Sequence, residues 1–206
     1  MVSLSPPPEQ PSIPSTLTAA GRSPTYGQLI VLSGPSGVGK GSLLKRLLRH
    51  HPELQLSISA TTRQPRAGEI HGQHYYFVSR EKFQTMAKNG ELLEWAEFAG
   101  NCYGTPKEPI EQAIAQGRRV ILEIELVGAR QVRASFPDAM QIFVAPPDVQ
   151  ALEDRIRTRG QESESAIAKR LARASVELAA ASEFDVRIVN DNFEQALADL
   201  EAAIFG

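Results

Sequence analysis

The chain has 206 residues, 42% of them hydrophobic, with 22 Lys and Arg against 24 Asp and Glu and a single cysteine. That is enough apolar side chain to bury one sizeable core, while the formal charge of -2 gives no global electrostatic reason to bind nucleic acid or an anionic membrane. Cys102 alone excludes an internal disulfide, and no apolar run is long enough to span a bilayer, so a soluble cytoplasmic protein is expected, with its oligomeric state left undefined.

Residues 1–25 carry Pro6, Pro7, Pro8, Pro11, Pro14 and Pro24 among serines and threonines. Such a segment cannot offset its ordering entropy by burial, so a disordered Pro/Ser-rich extension is expected, without the pattern of a secretory or transit signal. The domain proper begins near residue 26. Leu29 to Leu32 predict a buried strand, and Leu43, Leu44, Leu47 and Leu48 predict a helix from Lys40 to about His50. Between them lies S-G-P-S-G-V-G-K-G-S, Ser33 to Ser42. A glycine-rich turn from strand to helix is the context of a phosphate-binding loop: Gly34, Gly37 and Gly39 let backbone N–H groups approach phosphate oxygens, and the helix N-terminus faces the same anion. Pro35, Ser36 and Val38 complete the loop, and Lys40 adds a full charge for the β- and γ-phosphates. The strict pattern has a hydroxyl directly after the lysine; here Gly41 intervenes, and Ser42 is the candidate beside a magnesium ion.

Pro52 stops the helix, and Leu56 and Ile58 read as a strand ending near Ser59. In A-T-T-R-Q-P-R-A-G-E, Arg63 and Arg66 flank Pro65 and can converge on one phosphate, with Tyr75 or Tyr76 adding a hydroxyl; a solvated loop is the alternative. His71 and His74 sit in the same loop without a ligand set around them and read as exposed, and His50 and His51 as helix-end residues. Ser79 to Asn89 is a helix with Phe83, Met86 and Ala87 inward, stopped by Gly90. In E-L-L-E-W-A-E-F, Leu93, Trp95 and Phe98 suggest strands, with Gly100 and Gly104 as turns. Glu94 falls inside this apolar run. It either faces solvent or accepts specific hydrogen bonds, and a guanine edge offers two adjacent N–H donors that one carboxylate can accept.

Pro106 to Gln116 reads as a helix, and Val120 to Leu126 as a strand buried on both faces. Glu123 and Glu125 interrupt that strand. Acids there belong at its carboxyl end beside the phosphate loop, one near magnesium-bound water and the other near the acceptor. A helix from Gly128 to Ser135, a strand Ile142–Ala145 and a helix Val149–Arg157 follow. Arg155 and Arg159, then a turn at Gly160 and Arg170 on the next helix, form a basic hairpin able to close over ATP; a charged helix face paired with Glu153 and Asp154 is the alternative. A strand Phe184–Val189, with Asn190 and Asp191 beyond it, and a helix Phe193–Ile204 complete an α/β alternation.

Taken together, G-P-S-G-V-G-K-G-S at Gly34, S-A-T-T-R-Q-P-R-A-G-E at Ser59, E-W-A-E-F at Glu94, Y-G-T at Tyr103, R-T-R-G at Arg157 and I-V-N-D at Ile188 resemble the guanylate kinase family of P-loop nucleoside monophosphate kinases, its bacterial and chloroplast-like members most of all. The resemblance implies a three-layer α/β P-loop core with a central parallel sheet (26–58, 107–145 and 178–206), an inserted GMP-binding region (59–106) and a mobile lid (146–177). It implies Mg2+-dependent, reversible phosphoryl transfer from ATP to GMP, and to dGMP, in purine nucleotide metabolism. GMP phosphate contacts then fall on Arg63, Arg66, Tyr75 and Tyr103, and guanine-reading groups on Ser59, Glu94, Thr105 and Glu125. The ATP phosphates meet the loop and Lys40, Asn190 falls near the adenine, and Arg155, Arg159 and Arg170 act with Lys40 and Arg63 in catalysis. Ser42 and Glu123 are the candidates for magnesium, through water. Three positions depart from the family pattern: glutamates at Glu123 and Glu125 where aspartate is usual, Cys102 in place of a tyrosine, and Val127 at a position often polar. A non-catalytic module of the same fold and a kinase for another monophosphate are the alternatives.

Overall fold

A computed structural model describes residues 27–159 and 163–206; the expected extension at 1–25 and the turn at Gly160 lie outside the described residues. In chain order the elements are β1 (Gln28–Ser33), α1 (Lys40–His50), β2 (Gln55–Leu56), β3 (Ala60–Thr61), β4 (Tyr76–Phe77), α2 (Arg80–Lys88), β5 (Leu92–Phe98) and β6 (Asn101–Pro106). There follow α3 (Lys107–Ala115), β7 (Arg119–Glu123), α4 (Leu126–Ser135), β8 (Met140–Ala145), α5 (Val149–Arg159), α6 (Glu164–Ala179), β9 (Val186–Val189) and α7 (Phe193–Phe205).

Five strands form one parallel sheet in the order β2-β7-β1-β8-β9. Alternation along β1 and β7 divides the core between its two faces. Ile30, Leu32 and Ile121 join Leu43 and Leu47 of α1 and Leu197 and Leu200 of α7 on one side. Leu29, Val31, Val120 and Leu122 join Ile110 of α3 and Ala129 and Val132 of α4 on the other. The result is the expected three-layer α/β P-loop core, with the central strands β1, β7 and β8 buried on both faces because helices cover both, and the edge strands β2 and β9 partly exposed.

A second, four-stranded sheet, β4-β3-β6-β5, is built from residues 60–106 alone. It packs Ala60 and Cys102 against Phe83 of α2, with Met86 beside them. Cys102 is thus a small core side chain. Ser79 caps α2 by accepting from Lys82 N–H, as its position predicts.

Two local expectations are corrected. The strand expected over Val120 to Leu126 ends at Glu123. Ile124 N–H still donates to Leu32 O, but Ala129 N–H then donates to Glu125 O, and Glu125 becomes the N-cap residue of α4. The two acids therefore flank a strand-to-helix corner, Glu123 as the last rung of the ladder with β1 and Glu125 just beyond it, where a carboxylate reaches space that a central strand denies it. Gly104, expected at a turn, lies within β6 opposite Trp95. A Cβ there would come within 2.8 Å of both Glu94 O and Trp95 Cβ, so the glycine serves close strand approach. The hairpin turn itself is Ala99-Gly100, both at positive φ.

Candidate active site

The loop after β1 is braced from within. Lys40 Nζ donates to Gly34 O at 2.5 Å and Pro35 O at 3.1 Å. Gly34 is at φ 141, where a Cβ would collide with Val144 O at 2.2 Å. Only glycine lets the loop cross the end of β8. Asn190 is buried, and its Nδ2 donates to Val38 O at 2.8 Å; a Cβ on Gly39 would stand 2.5 Å from that nitrogen. Asn190, which the family resemblance puts near adenine, thus commits its amide to the loop carbonyl. Helix α1 has no side-chain cap and no acid in its first turn, whereas α2, α6 and α7 have a Ser or Asn cap and a glutamate in the first turn. The exposed amides of α1 are left for an anion. Burial pushes the Lys40 ammonium below its ordinary pKa, against the pull of Glu123, Glu177 and Glu125. A desolvated cation of this kind gains most from an incoming polyanion.

A cleft of about 270 Å³ opens next to the loop, between the second sheet and the β7–α4 corner, with Ser59, Tyr75, Glu94, Tyr103, Glu123 and Glu125 among its lining. Glu94 is 7% exposed and accepts from Thr105 Oγ1 at 2.7 Å. A register shift between Leu92 and Glu94 sets that acid opposite Thr105 while Leu93 enters the core. Burial raises the Glu94 pKa, and the Thr105 hydrogen bond pulls it back in part. Gly128 on α4 faces it: a Cβ there would lie 2.7 Å from Glu94 Oε2. The carboxylate is therefore tied through Oε1 and walled in at Oε2. Glu123 belongs to both places, since it lines the cleft and its carboxylate oxygens stand 3.9 and 4.0 Å from where a Gly41 Cβ would be.

At the cleft rim Arg63 donates through Nη1 and Nη2 to Glu69 at 3.0 and 2.8 Å. Its guanidinium lies 5.5 Å from the Tyr75 ring centroid, beside the Tyr103 hydroxyl. Arg66 is exposed, and its backbone N–H donates to the same Glu69. These bonds hold the Glu69 carboxyl down at about 2, the Arg63 hydrogen bond being the main cause. The two arginines therefore share an organising acid. His71 and His74 are exposed and accept backbone N–H bonds from Phe77 and Ile70 through Nδ1. Among the described residues no group of three or more His, Cys, Asp and Glu side chains is arranged to hold a metal ion.

Two arginines of the basic hairpin reach the loop. Arg155 Nη1 donates to Val38 O at 3.4 Å and Arg170 Nη2 to Ser36 Oγ at 2.8 Å. Arg159 ends α5, its side chain outside the described residues. Arg157, in contrast, bonds Glu153 within α5 and ties α5 to α6 through Glu164. Sequence reasoning missed four contributors: Glu69, Gly128, Arg173, which donates to Glu125, and Glu177, buried and 3.4 Å from Arg173 Nε. The i, i+4 spacing of Arg173 and Glu177 was the available signal for the last two.

Helix faces and strand ends thus bring a phosphate loop, a polar cleft and a basic hairpin together at the carboxyl end of the parallel sheet. No helix among the described residues is long and apolar enough to cross a membrane. The family model described as guanylate kinase matches residues 26–206. A guanylate kinase of Trichormus variabilis is 61% identical over 183 residues, 89% of this chain and 92% of that protein. One of Thermosynechococcus vestitus is 63% identical over 182 residues, 88% of this chain and 95% of that protein. The crystal structure of guanylate kinase from Anaplasma phagocytophilum superposes with a TM-score of 0.67 at 31% identity, covering 87% of this chain and 85% of that one. With a family model matching residues 26–206 and relatives this similar, the chain belongs to the guanylate kinase family.

Proposed function

We propose that this chain transfers the γ-phosphoryl group of ATP to GMP, giving ADP and GDP. The observation that carries the reading is Glu123, which borders Gly41 of the phosphate loop and lines the cleft containing Glu94 at the same time, so donor and acceptor pockets meet at one wall. An oxygen of the GMP phosphate forms the new bond to the γ-phosphorus while the β–γ bridging P–O bond breaks and ADP leaves. That oxygen is already anionic, so no general base is needed; the difficulty is holding two polyanions together.

The residues meet that difficulty in parts. Lys40 leaves the Gly34 and Pro35 carbonyls for the ATP phosphates, with Arg155, Arg159 and Arg170 of the lid (146–177) adding charge and excluding water as it closes. Arg63, Arg66, Tyr75 and Tyr103 of the acceptor region (59–106) receive the GMP phosphate. Glu94, oriented by Thr105, accepts from the guanine edge beside Ser59 and Glu125. Magnesium comes with ATP and lends positive charge to its phosphates. The hard oxygens suited to it are Ser42 in the exposed first turn of α1 and the Glu123 carboxylate next to that turn. The enzyme works in the cytoplasm, where its nucleotide substrates are.

Steady-state assays with ATP and each of GMP, dGMP, AMP, CMP and UMP, with and without magnesium, test the proposal. Product from GMP and dGMP alone, lost on chelation, is expected. Another preferred monophosphate would reassign the cleft, and no diphosphate from any of them would make the chain a binding module.

A further inference from the structure

Three parts of the molecule meet at Arg173, which falls in none of the sequence motifs. On α6, its Nε lies 3.4 Å from Oε1 of Glu177, one turn further along the same face. Its Nη2 donates to Glu125 Oε2 at the β7–α4 corner. Its guanidinium carbon stands 6.0 Å from the ring centroid of Phe98, at the end of β5. The Glu177 side chain is 8% exposed, whereas Glu125 and Phe98 line the cleft. A buried carboxylate therefore fixes the guanidinium at its root, and the far edge is turned to a cleft acid.

An exposed ion pair such as Arg173–Glu125 adds little to fold stability; what it adds is direction. A carboxylate pinned through one oxygen loses freedom about its last torsion and keeps the lone pairs of the other oxygen for a second donor. We propose that Arg173 is a positioning residue for base selection, holding Glu125 by Oε2 so that the other oxygen is presented to the 2-amino group of guanine. This rests on the reading of the cleft as the GMP site. Arg170, three residues earlier on α6, donates to Ser36 of the phosphate loop, so the same helix that reaches the donor loop also sets the acid at the base.

The test compares GMP with IMP, which has the same sugar phosphate and lacks only the 2-amino group, in Arg173→Ala, Arg173→Lys and Glu125→Ala. For Arg173→Ala the expectation is a GMP-over-IMP preference in kcat/KM reduced about fivefold, carried by a higher KM for GMP. KM for ATP and for IMP should stay within about twofold, and Arg173→Lys should recover part of the preference. Equal losses with GMP and IMP, or an unchanged preference while Glu125→Ala collapses it, would overturn the role of Arg173. An unchanged preference in Glu125→Ala would instead overturn the reading of Glu125 as the acid that meets the amino group, and Arg173 with it. Because Arg173→Ala also removes a partner of the buried Glu177, thermal melting of each variant separates a loss of fold from a loss of selection, and Arg173→Lys keeps the charge beside Glu177.

Discussion

The proposed donor loop and acceptor cleft hold their charges in opposite ways. The loop satisfies itself: Lys40 bonds its own carbonyls, Asn190 bonds Val38 O, and Arg155 and Arg170 come down on Val38 and Ser36. The cleft is acidic and walled, with Glu94, Glu123 and Glu125 around one cavity and the rim cation Arg63 paired to Glu69. The loop is thus shaped by backbone and waits for any polyphosphate, while the cleft is shaped by side chains that each accept or repel a particular donor. On the proposed function, selectivity belongs to the second region and chemical power to the first.

Lys40→Ala should strike hardest, lowering kcat by about a hundredfold to a thousandfold while the dissociation constant for GMP, read by calorimetry, changes little. Equal loss of GMP affinity with turnover preserved would erase the contrast. Glu94→Gln should act on the other side, weakening GMP by about 1 to 3 kcal/mol with KM for ATP unchanged. The wild-type pH profile sharpens this. Because the Glu94 pKa is raised, the ligand-free fold loses stability as pH rises from the ordinary carboxylate value through the raised one. GMP binding needs the carboxylate and so weakens as pH falls through that same range. Titrations of GMP against pH should show this acidic limb and lose it in Glu94→Gln.

Smaller effects separate the regions further. Gly128→Ala, placing a methyl against Glu94 Oε2, should raise KM for GMP about threefold to tenfold, and leave KM for ATP alone. A change in ATP instead would mean that α4 serves the donor side. The smallest effect is expected from Glu69→Gln. With its folded pKa near 2, Glu69 contributes stability that is present above its unfolded value and lost as pH falls toward 2. The variant should be slightly less stable than the wild type near neutrality, converge on it as pH falls toward 2, and so show a flatter acid unfolding curve over that interval.

Periodicity and punctuation made most of the fold legible. The Leu29–Leu32 run, the Leu43/Leu44/Leu47 stripe, Ser79 as a cap and Gly90 as a stop are local signals, and α1 and α2 form where they predict. Glu123 and Glu125 were harder. Their apolar neighbours continue the strand pattern, but the ladder between β1 and β7 ends at Leu32 and Glu123, so pairing, which no window of sequence contains, ends β7 three residues early. Gly104 misled for a similar reason: turns and close strand approach both demand a missing Cβ, and only the opposite strand distinguishes them. Glu94 was legible as a costly carboxylate in an apolar run, yet its partner Thr105 came from the family resemblance, and the wall at Gly128 came from neither. For Arg173 only the i, i+4 pairing with Glu177 was legible; its contacts with Glu125 and Phe98 are brought near by tertiary folding.

Gly41 returns with a different meaning from that of an interrupted motif. The Glu123 oxygens stand 3.9 and 4.0 Å from where its Cβ would be, a distance that a methyl tolerates and a hydroxyl closes. Serine or threonine directly after the lysine would hydrogen-bond that carboxylate and tether it to the loop. On the proposed function, leaving the position bare, and moving the hydroxyl on to Ser42, keeps the wall between the two pockets unclaimed, with a charge still able to turn toward either nucleotide.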